Sequence, residues 1–194
     1  MHTLTANTQA KRSSPGEEIV WYIIFGEMTI LTLCFAIYVY FRQLSYDQYI
    51  EAQHNLLTGY GLTNTLILVL SSFFVASAVS AYRSQNQAKV CLFLKISWFF
   101  GALFCAIKIQ EFLIMLDNGW YFDSHDFYIF YYTLAGIHLM HVFIGLMVLS
   151  YFLYGISSSG IHSMKESIFE SGTSYWHMID IVWLLLFPLL YLLP

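Results

Sequence analysis

The side chains that could do chemistry here are charged or imidazole groups set inside long apolar runs. They are Glu27, Lys95, Lys108, Glu111, His138, His141, His177 and Asp180. At membrane depth such a group costs roughly 2.5–3.5 kcal/mol or more, so each asks for a partner or a task. Glu27 sits near the middle of its run, and two readings stay open. It is a protonatable carboxyl in a polar network, or a neutral glutamic acid hydrogen-bonded for helix packing. Lys108 and Glu111, three apart on one helix, share a face and read as an ion pair that lowers its own burial cost. Lys95 lies near a run end, where its stem can snorkel to the interface. His138 and His141 form an HxxH that could share a metal. A di-iron carboxylate bundle needs repeated Glu-x-x-His, which is missing, so hydrogen bonds to Glu27 or to neighbouring helices are the better reading. Glu27 and His138 are both near mid-membrane and are expected to meet as the core of the network. His177 and Asp180 are again three apart, with Trp183 three further on. An aspartate can fix an imidazole tautomer, and the pair reads as local and structural.

No nucleophile motif, phosphate loop or thiol cluster accompanies these groups, and no two matching broken segments suggest a transporter. Cys34, Cys91 and Cys105 lie in apolar runs without metal-ligand spacing and read as small core residues. The expectation is therefore no catalytic residue and no metal site.

The elements that must position these residues are plain. Only 10% of the 194 residues are charged and 58% are hydrophobic, against nearer 25% charged in a typical soluble domain. Mean hydropathy is +0.62. A net charge of -4 without a basic patch gives no reason to expect nucleic acid. Five apolar runs, at about 18–41, 62–82, 90–116, 127–154 and 175–193, approach or exceed the roughly 20 residues that cross a bilayer as a helix. They are too long and too uniform for strands, and in lipid only helices or closed barrels satisfy the backbone. The predicted fold is all-α, an integral membrane bundle of five transmembrane helices over residues 17–194. A polar N-terminal tail, 1–16, is expected to be disordered and is not a signal peptide. In the second run Ser72, Ala76 and Ser80 make a small-residue stripe suited to close packing. Lys11, Arg12, Arg83, Lys89 and Lys165 fall on one side and Arg42 on the other. The positive-inside rule then puts the N-terminus in the cytoplasm and the C-terminus in the periplasm. Trp21, Trp120, Tyr121, Trp176 and Tyr191 fall near run ends and read as an interfacial aromatic belt.

Several blocks in order carry a resemblance. They are Phe25-Gly26-Glu27, then Leu62-Thr63-Asn64-Thr65 with Ser71-Ser72, then Glu111-Phe112, then Gly136–Val142 with Gly145, and last Glu170 followed by Tyr175–Trp183. Together they resemble the subunit III family of the haem-copper oxidases, from about Glu18 onward. The resemblance implies that Glu27 is the family's carbodiimide-reactive buried glutamate. It places Glu27, Asn64, Glu111, His138, His141, Glu170, His177, Asp180 and Trp183 in a family-matched buried polar network. It implies a non-catalytic accessory subunit in a bacterial cytoplasmic membrane, with no cofactor of its own beyond bound phospholipid, packed on a catalytic haem-containing subunit. The first two helices of seven-helix members, which form one side of the family's lipid cleft, have no counterpart here. Lys108 before Glu111, the run Asp126–Tyr131 and the ending Phe187–Tyr191 are most similar to the short branch that accompanies nitric oxide reductases. The alternatives are subunit III of a cytochrome c or quinol oxidase, or an independent membrane redox protein or carrier.

Overall fold

The structure is a computed structural model that describes residues 15–193, with side chains described from Trp21 onward apart from position 23. Most of the predicted tail, with Lys11 and Arg12, lies outside the described residues. Helix α1 (Pro15–Leu44) is followed by a short α2 (Tyr46–His54), then α3 (Thr58–Arg83), α4 (Gln87–Asp117), α5 (Asp126–Ser159) and α6 (Glu166–Phe187). Five of these, all but α2, are long and apolar enough to cross a membrane. Among the described residues there is no strand.

Each crossing helix has local reasons to start and stop. The Asn86 side chain caps α4 by accepting from the Lys89 N–H, and His125 Nδ1 caps α5 by accepting from the Phe127 N–H. Gly160, at φ +84°, ends α5 in a conformation that other residues adopt only with strain. Helix α6 begins at Glu166, well before the expected start near Tyr175, because Glu166–Ser174 supplies a polar first stretch with no breaker before Pro188. After that proline the chain makes one π-helical turn, Pro188–Leu192.

The helices pack as an antiparallel succession. Helix α3 lies along α4, where the Ser71 and Ser97 hydroxyls meet at 2.8 Å. The buried face of α3 is Asn64, Leu68, Ser71, Val75 and Ala78. This corrects the small-residue stripe: Ala76 and Ser80 are exposed, and only Ser72 turns partly inward. Trp176 is wholly buried. A Cβ on Gly101 or Gly145 would stand 2.7 Å from its ring, so both positions need glycine for the indole to fit between α4 and α5. Trp176 and Tyr191 are thus core residues, not belt residues, whereas Trp21 and Tyr121 are exposed.

Helix α2 was not expected in what reads as a polar link. It folds because Tyr49 and Ala52 recur on one face and bury against α5, with the Tyr49 ring edge-on to Phe127 at 5.8 Å. Burial first, then the nearby Asp126 carboxylate, pushes the Tyr49 phenol up to about 12.

Candidate functional site

The polar residues separate into groups strung along the bundle. The most enclosed is built on α4. Lys108 and Glu111 stand one helical turn apart, and both are fully buried. Lys108 Nζ donates to Glu111 Oε2 at 3.0 Å, to the Tyr131 hydroxyl at 3.2 Å and to the Tyr191 hydroxyl at 2.6 Å. Both phenols in turn donate to Glu111 Oε1, at 2.9 Å from Tyr131 and 2.5 Å from Tyr191. All three ammonium hydrogens and both carboxylate oxygens are used, and each phenol both accepts from Lys108 and donates to Glu111. The cluster is neutral as a whole and has no group left over. Trp183 covers it, its ring 5.1 Å from Lys108 Nζ.

Trp183 also borders a second group. His138 packs 5.0 Å from the Trp183 ring and edge-on to Phe104. One turn further along α5, His141 Nε2 lies 3.4 Å from Glu27 Oε1 on α1. The direct contact to Glu27 comes from His141. His138 instead shares with Glu27 the wall of a small cavity between α1, α5 and α6. Helix α5 presents both imidazoles on one face; which of them meets Glu27 depends on the height at which α1 crosses α5, and spacing does not encode that.

A third group lies between α3 and α6. His177 Nδ1 is 2.7 Å from Ser72 Oγ and 3.7 Å from Asp180 Oδ2. Near it, Trp183 Nε1 donates to Thr65 Oγ1 at 3.0 Å. Asn64 is buried beside these but makes no hydrogen bond through its side chain. Glu170 does not belong to a buried network at all. It pairs with Arg83 at 2.7 Å in a partly exposed bridge at one end of the bundle. The reason is its register: Glu170 lies in the polar first turns of α6, level with the last turn of α3.

Sequence reasoning missed Tyr131 and Tyr191 as partners of Lys108. Tyr131 stands in the second turn of α5 and Tyr191 follows Pro188, so only the packing of three helices brings them together. Among the described residues, no three His, Cys, Asp or Glu side chains converge as ligands for a metal ion would.

The fold and these sites define a multi-pass helical membrane protein whose buried charges are held mainly by one another. A model of the family Cytochrome c oxidase subunit III matches residues 58–193, and the chain belongs to that family. It is 25% identical over 174 residues to subunit 3 of the cytochrome bo(3) ubiquinol oxidase of Buchnera aphidicola from Acyrthosiphon pisum, covering 89% of this chain and 84% of that one. It is 26% identical over 173 residues to cytochrome c oxidase subunit 3 of Bacillus sp. strain PS3, covering 89% and 83%. With quinol oxidase subunit 3 of Bacillus subtilis it shares 29% identity over 129 residues, covering 66% and 63%.

Proposed function

We infer that this chain is an accessory subunit of a haem-copper oxidoreductase complex in a bacterial cytoplasmic membrane. It packs on the catalytic haem-containing subunit and supports assembly and sustained turnover. The observation that carries this reading is the family match over 58–193, which spans four of the five crossing helices. The chain contributes shape and apolar surface rather than a redox centre. Its α1 turns Phe25, Ile30, Leu33 and Ile37 outward, a face for lipid tails or a partner helix. Phospholipid held on such a face is part of the proposal. Arg83, Lys89 and Lys165 gather at one end of the bundle and Arg42 at the other, which favours a cytoplasmic N-terminus.

The finer reading is that the partner is a nitric oxide reductase. It is supported by Lys108, Asp126–Tyr131 and Phe187–Tyr191, three separate segments singled out for that likeness. All three contribute to the single Lys108–Glu111–Tyr131–Tyr191 cluster. A second reading, subunit III of an oxygen-reducing oxidase, is favoured by the similar proteins, which are ubiquinol, quinol and cytochrome c oxidase subunits. Mild-detergent capture of the chain from native membranes, with mass spectrometry and a haem spectrum of the co-purifying proteins, separates the two. Recovery of nitric oxide reductase subunits is the expected result. Recovery of a copper-containing oxidase selects the second reading, and a catch free of haem overturns both.

A further inference from the structure

The cavity between α1, α5 and α6 is lined by two residues that each keep a buried polar atom unpaired. It is about 20 Å³ in volume, and a water needs about 10–15 Å³ measured in this way. Five of its walls are apolar: Met28, Leu31, Met178, Ile179 and Val182. Its polar walls are Glu27, His138 and His141. Glu27 Oε1 is engaged at 3.4 Å with His141 Nε2, but Glu27 Oε2 is buried and has no hydrogen-bond partner. His138 is only 2% exposed, and its Nε2 is likewise buried and unpartnered. Buried polar atoms in folded proteins are almost always satisfied, by protein or by ordered water. The residues that carry these two atoms, on different helices, line one water-sized space, which gives both atoms a candidate for the same occupant.

We propose that this cavity is a binding site for a single ordered water that bridges Glu27 Oε2 and His138 Nε2. The occupant must be small and able both to donate and to accept. A carboxylate oxygen needs a donor, whereas the free imidazole nitrogen of a neutral ring donates or accepts according to its tautomer. Water satisfies either case. A metal ion does not suit the site, since the three polar side chains do not converge as ligands. A lipid or detergent tail would cover the apolar walls but leave both polar atoms bare. With the water in place, Glu27 is linked to His138 through the water and to His141 by the 3.4 Å contact, which ties α1 to α5. The inference stands whichever complex the chain joins.

The test is a sign. Val182→Ile adds one methylene at the cavity wall without touching a polar group. If the space is dry, filling it removes a void and raises the unfolding temperature. If it holds the bridging water, the methylene displaces that water, strands Glu27 Oε2 and His138 Nε2, and lowers the unfolding temperature by a few degrees. A fall is the expected result; a rise or no change overturns the proposal. The second measurement is a map of the detergent-solubilised wild-type chain, alone or in its complex, at a resolution that shows waters. One compact peak within hydrogen-bond reach of both Glu27 Oε2 and His138 Nε2 is expected. An elongated apolar density, no density, or a direct Glu27–His138 contact refutes it.

Discussion

The two polar sites that border Trp183 use polar side chains to opposite ends. In one, Lys108, Glu111, Tyr131 and Tyr191 use every donor among themselves. In the other, Glu27 and His138 line a cavity and each keeps a buried atom unpaired. The surroundings differ in the same sense. Helix α6, which supplies Tyr191's arm and Trp183, has 61% of its span buried, whereas α1, which supplies Glu27, has 11%. A buried charge pair that closes on itself sets where helices sit. A carboxyl on the most loosely covered helix, with an oxygen to spare, remains available to something else.

That contrast can be broken or sharpened by substitution. The largest effect is expected at Glu111→Ala, which leaves the Lys108 ammonium fully buried without its counter-charge. Removing one partner of a buried pair costs about 3–5 kcal/mol, so the folded yield in mild detergent should collapse. The double variant Lys108→Met with Glu111→Leu should recover most of that loss, leaving the two phenols to each other at their present 3.4 Å. Equal damage in the single and double variants would show that closure is not what the cluster provides. Next comes Glu27→Ala, expected to cost about 1–3 kcal/mol through partners left unpaired. Glu27→Gln should be milder, because the amide keeps hydrogen-bonding groups for His141 and the cavity; a ranking the other way round would remove the distinction drawn between the sites. Tyr191→Phe removes one donor and one acceptor from the closed cluster while keeping the ring. By the range measured for hydrogen bonds between membrane helices it should cost about 0.6–1.7 kcal/mol in a chemical unfolding series. The smallest effect belongs to Arg83→Ala. The Arg83–Glu170 bridge is solvent-facing, so its loss should barely move the unfolding curve, and added salt should erase what difference there is.

The five crossing helices were legible because a bilayer demands long uniform apolar runs, and five are present. The Lys108–Glu111 spacing was legible because i,i+3 geometry is local. What surrounds that pair was not. The chain has 15 tyrosines, and nothing in the sequence marks Tyr131 and Tyr191 as the two that reach Lys108. Trp176 looked interfacial because it lies near a run end; its burial depends on Gly101 and Gly145 on two other helices. Helix α2 escaped notice because a helix of 9 residues carries little periodic signal, and its docking depends on Phe127 and Tyr128 far along the chain. Glu170 was grouped with buried residues through resemblance alone, while its height on α6 puts it at the bundle's end. Local pairs are written in the sequence; the meeting of three helices is not.

The order in which the chain is made gives the Lys108 cluster a temporal meaning. During synthesis α4 reaches the bilayer carrying Lys108 and Glu111 together, so the two charges travel as a neutral couple from the start. Tyr131 arrives later on α5, and Tyr191 belongs to the end of the last described span. Each arrival adds hydrogen bonds to the same ammonium and the same carboxylate. The cluster is therefore satisfied step by step, and finished only when the span that ends in Tyr191 has docked. A nascent chain stalled before that point would display an unfinished charge pair inside the membrane, the kind of defect by which membrane quality control separates finished proteins from abandoned ones.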